Sequence, residues 1–214
     1  MKRRAFTLAE VLIVFSVIGV LAVIVLSSLS GVRPDKEKTM FKKAYSITER
    51  AVGELVNDET IYPYDPDRIG FYNTDAAEVE GTALTFNGAQ KFCMFFSRKL
   101  NTFAEAQFDG TRCTFETSDG ITWSVPSNFD RTAGNSSMVV RVDVNADKDP
   151  NFPNYTSEQV AANPQILNDT NAELANQKRD IFFIFVDFDG RVRVPAGSRE
   201  ETFLKSHEAR ERRL

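Results

Sequence analysis

The sequence predicts an α+β protein: a long N-terminal helix, apolar all round in its first half and one-faced in its second, packed on an antiparallel β-sheet. Three observations predict it. Residues 6–29 read FTLAEVLIVFSVIGVLAVIVLSSL, and 14 of the 16 positions from Val11 to Leu26 are apolar. Residues 35–57 then repeat apolar side chains at spacings of three and four, the period of a one-faced helix. Beyond Arg112 the period becomes two, with Asp-Gly turns at 119–120 and 189–190 between β-rich runs.

The first stretch is long enough to cross a membrane. Twenty-four residues at a rise of ~1.5 Å span roughly 36 Å, more than the ~30 Å of a hydrocarbon core. Val, Ile and Phe would suit a strand in water, but lipid demands backbone hydrogen bonds satisfied within the segment, which a helix supplies. Lys2, Arg3 and Arg4 precede it, and such cations hold the N-terminus on the cytoplasmic side. A secretory signal has a small-residue cleavage site after its apolar run. Here the small residue, Ala5, comes before it, and no A-x-A pattern follows Leu26. Glu10 is the only ionisable side chain in the stretch. A carboxylate in a membrane span is costly and points to function.

Arg3-Arg4-Ala5 followed by Phe6-Thr7-Leu8-Ala9-Glu10-Val11-Leu12-Ile13-Val14 resembles the N-terminal signature of type IV pilins and type II secretion pseudopilins. Ala5 stands where that family usually has Gly. The resemblance implies cleavage by a prepilin peptidase between Ala5 and Phe6 and methylation of the new Phe6 amino group. It implies a helix that holds the subunit in the inner membrane and then forms the core of a filament. It implies as partners the peptidase, other pilin or pseudopilin subunits and an inner-membrane assembly platform. The C-terminal domain would lie outside the cytoplasm, and the filament would be periplasmic or extracellular. The family's acid falls on Glu10. Its chemistry is consistent: Glu10 lies one helical turn from the expected ammonium of Phe6, near the positive end of the helix dipole. It can pair with its own terminus or with a neighbouring subunit's.

The expected domains are a leader at 1–5, a transmembrane and assembly helix at 6–30, a pilin-like globular domain at 31–196 and a charged C-terminal tail at 197–214. In the globular domain, Phe41, Ala44, Tyr45, Thr48, Val52, Leu55 and Val56 share a helix face. Residues 58–88 are turn-rich, with Pro63, Pro66, Gly70 and Gly81. A second helix is expected over 89–100, with Phe92, Phe95 and Phe96 as core. Residues 113–117 and 121–125 form a hairpin across Asp119-Gly120. Residues 138–144 and 181–188 form further strands, and Arg191–Val194 returns after Asp189-Gly190. The polar stretch 155–178 reads as an insertion, helical around 172–177. Residues 197–214 read as a charged surface segment.

Asp143, Asn145, Asp147 and Asp149 place oxygen side chains at every second position after a strand, a spacing that can wrap a calcium ion. Calcium is the one cofactor candidate. The EF-hand pattern breaks at its sixth position, Lys148, and its twelfth, Asn154. The other reading of this run is an Asx-rich turn that caps its own backbone, with Pro150 and Pro153 setting the exit. Cys93 and Cys113 are the only cysteines. An exported domain permits a disulfide between them. Their aromatic neighbours Phe92, Phe95 and Phe115 equally suit two buried thiols.

Several function classes are disfavoured. Net charge is −4, and loss of the three leader cations takes it to −7, which does not favour nucleic acid. His207 is the sole histidine and sits in the charged C-terminal segment. A Ser-His-Asp or Cys-His arrangement around it is not expected, and no phosphate-binding G-x-x-x-x-G-K-[ST] run is present, so an enzyme is not expected. The expected function is a pseudopilin or minor pilin-like filament subunit. The alternative is a single-pass, membrane-anchored binding or adhesin domain that does not polymerise.

Overall fold

The computed structural model describes residues 8–29, 35–67, 69–126, 137–146, 148–170, 174 and 177–211. The chain divides into two units, Met1–Asp35 and Lys36–Leu214. In the first, the described residues form α1 (Leu8–Leu29). The second is α+β and holds the core.

The second unit begins with α2 (Lys36–Val56), which buries Phe41, Ala44, Thr48, Ala51, Val52 and Leu55. Their spacings of three and four make one continuous stripe. Thr48 belongs on that stripe because its hydroxyl donates to the Ala44 carbonyl at 2.9 Å. The turn-rich stretch holds a small antiparallel ribbon, β1 (Ala77–Glu78) with β2 (Thr85–Phe86). Next comes α3 (Lys91–Arg98), burying Phe92, Cys93, Phe95 and Phe96. A sheet of β3 (Gln107–Phe108), β4 (Arg112–Glu116), β5 (Thr122–Pro126), β6 (Ser137–Asp143), β7 (Ile181–Asp187) and β8 (Val192–Arg193) follows in strictly sequential order, every pair antiparallel. Helix α4 (Ser157–Ala162) lies between β6 and β7, and α5 (Arg199–Glu211) follows β8.

Strand β7 shows why the sheet is covered on both faces at its centre. Its register with β6 runs the full length, from Ser137 opposite Asp187 to Asp143 opposite Ile181. Side chains alternate across a strand. Phe182, Ile184 and Val186 join the main core with α2, α3 and Trp123. Ile181, Phe183 and Phe185 join a second core with Val139, Val160 and Leu167. An antiparallel strand with one wet face would alternate apolar and polar; this one is apolar and buried from Ile181 to Val186 because both faces are dry.

The second core is supplied by the stretch the sequence marks as a polar insertion. A helix lies at Ser157–Ala162, ahead of the expected one, while of 172–177 only Leu174, which is helical, and Gln177 are described. A capping box starts the helix at Ser157: the Gln159 N–H donates to the Thr156 hydroxyl, and the Thr156 N–H donates to the Gln159 side chain. The segment expected as a surface tail is also more integrated. In α5, Glu200 is buried and Phe203 packs against Phe41 and Phe182, with ring centroids at 6.2 and 5.8 Å.

Two turns fix the register. Gly120 closes the β4–β5 hairpin at φ 78°, a conformation that side chains with a Cβ resist. This sets Phe115 opposite Trp123, whose rings stack within 10° of parallel. Gly190 has φ 84°, and a Cβ there would lie 2.7 Å from Val56 Cγ1, so only Gly lets the β7–β8 turn close on the end of α2. Cys93 of α3 and Cys113 of β4 are bonded, with Cα atoms 5.7 Å apart. That bond ties α3 to the sheet.

Candidate functional site

Helix α1 is built from residues that leave it nothing polar to hide. Every side chain described in it, Leu8–Val23, is exposed, including Leu8 at 82% and Phe15 at 67%. The Ser16 hydroxyl donates back to the Leu12 carbonyl, which satisfies it within the helix. Glu10 lies in the first turn, where the helix dipole favours a carboxylate. Ala5 and Phe6 lie outside the described residues. Among the described residues no helix is long and apolar enough to cross a membrane.

A contiguous apolar surface of this length marks a surface that something else covers.

The loop after β6 has a different logic. Asp143 is buried, Asn145 half-buried and Asp149 exposed, and Asp147 lies outside the described residues. Asp143 Oδ1 accepts the Asn145 N–H at 3.2 Å. The centre of the loop is Asp180, fully buried at the start of β7, which the sequence reading did not single out. Asp180 Oδ2 accepts from Asn145 Nδ2 at 3.1 Å and from the Asn151 N–H at 2.9 Å. Asp180 Oδ1 accepts from the Phe152 N–H at 2.8 Å. The Asp180 carbonyl accepts the Val144 N–H, and its own N–H donates to the Phe152 carbonyl. One aspartate thus clamps both ends of the loop, and it holds Ala146 and Asn151 at φ 57° and 49°. Non-glycine residues rarely adopt such values without support.

The calcium expectation rests on four residues, of which Asp147 lies outside the described ones. Asp143 accepts the Asn145 N–H, and Asp180 accepts three donors of the same loop. Among the described residues no three His, Cys, Asp or Glu side chains are grouped as a metal ion would need. The Asx-turn reading of Asp143 and Asn145 accounts for the contacts. The only sequence signal for Asp180 was its place just ahead of the apolar strand, where a buried charge needs partners.

A further charged group secures α5. Arg179 Nη2 donates to Asp169 Oδ1 at 2.8 Å, and Arg199 Nε lies 3.7 Å from the same oxygen. Glu200 accepts the Phe183 N–H at 3.3 Å. Burial pushes its carboxyl well above the usual range, with Arg179 opposing the shift.

Residues 1–26 match a family model described as the prokaryotic N-terminal methylation motif, the signature of type IV pilins and pseudopilins. Comparison with the curated proteins finds no match, and comparison with the solved structures finds none. The motif supports a type IV pilin-like or pseudopilin precursor and suggests membrane anchoring. The α+β fold of the chain is compatible with a pilin-like one.

Proposed function

We propose, for a chain that carries the prokaryotic N-terminal methylation motif, a structural role as a pseudopilin or minor pilin-like subunit of a type II secretion or type IV pilus filament. One observation carries this reading: the motif runs straight into a helix whose described side chains are all exposed and nearly all apolar. A prepilin peptidase cuts between Ala5 and Phe6 and methylates Phe6. Helix α1 holds the precursor in the inner membrane, with the second unit outside the cytoplasm. In the filament, other copies or related subunits cover the same helix. Other proteins supply the energy for extraction and growth.

The test is the mass of the mature chain after co-expression with a prepilin peptidase. The expected product lacks residues 1–5 and carries N-methyl-Phe6, and Ala5→Leu blocks its formation. An unchanged mass with active peptidase overturns the reading in favour of a non-polymerising membrane anchor.

A further inference from the structure

A cleft within the second unit holds a surplus of exposed negative charge over an apolar surface. It measures about 740 Å³, within the usual range for small-molecule sites. The turn after α2, strand β1 with the turn that follows it, and the end of α3 form its walls. The two cations of the α3 wall already have carboxylates. Lys99 Nζ lies 3.8 Å from Glu54 and 4.0 Å from Asp58. Arg98 Nη2 lies 3.0 Å from Glu105, and its guanidinium lies over the Phe86 ring. On the β1 wall Glu78 and Glu80 are exposed, and among the described residues neither forms an ion pair. Val79 between them is half-buried, and with the edges of Ile61 and Phe95 it gives the cleft its apolar surface. The sequence around the cleft has the same bias. Residues 54–80 carry eight carboxylates against one cation, Arg68, and a field of one sign raises the local concentration of the opposite ion.

The kind of cation follows from what the walls offer. Among the described residues no three His, Cys, Asp or Glu side chains are grouped as a metal ion would need. An organic cation needs less: one or two carboxylates for its N–H donors and apolar surface for its carbons. We propose that this cleft binds a primary ammonium or guanidinium carried on an aliphatic stem, the chemistry shared by a lysine or arginine side chain and a linear polyamine. The charged head donates to Glu78 and Glu80, and the methylenes lie along Val79 as such stems do on apolar surface. Arg98 and Lys99 repel the head from the α3 wall, which leaves the β1 wall as its place. A quaternary ammonium has the charge but no N–H to donate, so the same carboxylates discriminate against it. The site lies wholly in the second unit and does not depend on anchoring, processing or assembly.

The experiment titrates the full chain, in a nonionic detergent at low salt, with three probes read by saturation-transfer NMR. They are 1,5-diaminopentane, Nα-acetyl-lysine methylamide and the trimethylated form of the same blocked lysine. The expected result is saturable binding of at least one primary amine and weaker binding of the trimethylated probe. Glu78→Gln with Glu80→Gln weakens the bound amine by about tenfold, each exposed ion pair being worth about threefold. Glu59→Gln removes an exposed carboxylate of the same acidic stretch that does not line the cleft, and it leaves the affinity unchanged. All three positions are exposed, so these variants keep the fold. The two amines separate the sources. Binding of the blocked lysine assigns the site to a side chain of a partner protein, and binding of the diamine alone assigns it to a free polyamine. No saturable binding of either amine overturns the site. So does equal weakening by Glu59→Gln and by the double variant, which would reduce the effect to the general field of residues 54–80.

Discussion

At the scale of single residues, two buried carboxylates behave in opposite ways, and the difference lies in their partners. Asp180 accepts three hydrogen bonds from Asn145, Asn151 and Phe152, so both its oxygens have partners. Asp180→Asn replaces an acceptor with an amide that puts N–H against N–H. The expected loss is about 2–3 kcal/mol, the scale of breaking a buried charged hydrogen-bond set, read as a lower melting temperature of the full chain in detergent. Glu200 accepts one backbone N–H, and its Oε2 is buried without a partner. Burial therefore raises its folded-state pKa, with Arg179 and the Ser198 hydroxyl pulling the other way. The folded state holds the proton more tightly than the unfolded chain. Its contribution is full below the ordinary carboxyl range near pH 4.5 and is lost as pH rises through the raised value, at up to about 1.4 kcal/mol per pH unit. Glu200→Gln keeps the acceptor and removes the titration. The variant is expected to match the parent near pH 4 and to melt higher at pH 7.5. A constant difference between the two proteins at both pH values contradicts this.

At the scale of elements, what could be read from the sequence follows from local signals. Asp119-Gly120 between two β-rich runs identifies the β4–β5 hairpin because Gly there frees the turn from its Cβ penalty. The 3–4 spacing from Phe41 to Leu55 identifies the buried face of α2 for an equally local reason. The strand at β7 was visible as an apolar run, but the run alone does not say what lies on its second face. That layer comes from Val160 and Leu167, apolar residues in a stretch with Asn and Gln throughout. Its start signal, Thr156 with Gln159 three residues later, was present but is weak over a six-residue helix. The Asp180 clamp was illegible because its partners, Asn145, Asn151 and Phe152, are some 28–35 residues away in sequence. The bond between Cys93 and Cys113 was one of two open readings, since spacing carries no geometry. In the structure it joins α3 to β4 and closes a loop of 20 residues, which in the chain-entropy model is worth about 3 kcal/mol. Replacing both cysteines by serine is expected to lower stability by that amount, measured by denaturant titration. Alkylation of the folded, unreduced parent is expected to modify neither residue; labelling of both after unfolding without reductant would restore the two-thiol reading.

At the scale of the whole molecule, the two units divide the work. Residues 36–214 bury their own core, whereas α1 exposes every described side chain. A helix apolar on all faces gains equally from lipid and from packed helices, so apolar burial alone gives no fixed register with a neighbour. Glu10 is the exception, the one ionisable side chain of the stretch, and its carboxylate can supply that register by meeting the Phe6 ammonium of an adjacent subunit. The proposal therefore makes an ordered prediction for Glu10→Val. Insertion is kept, because Val is cheaper in lipid than Glu. Cleavage before Phe6 is kept as well, because the leader and Ala5 are untouched. Incorporation into a filament fails, because a neighbour's buried ammonium loses its counter-charge, and breaking one side of such a pair costs roughly 3–5 kcal/mol. At 1.4 kcal/mol per tenfold, that penalty lowers subunit association by about a hundredfold or more. The measurement is filament yield, or cross-linking between copies, for Glu10→Val and the parent at matched membrane levels. Equal incorporation of both proteins removes Glu10 from assembly and leaves it a carboxylate tolerated in the first turn of α1.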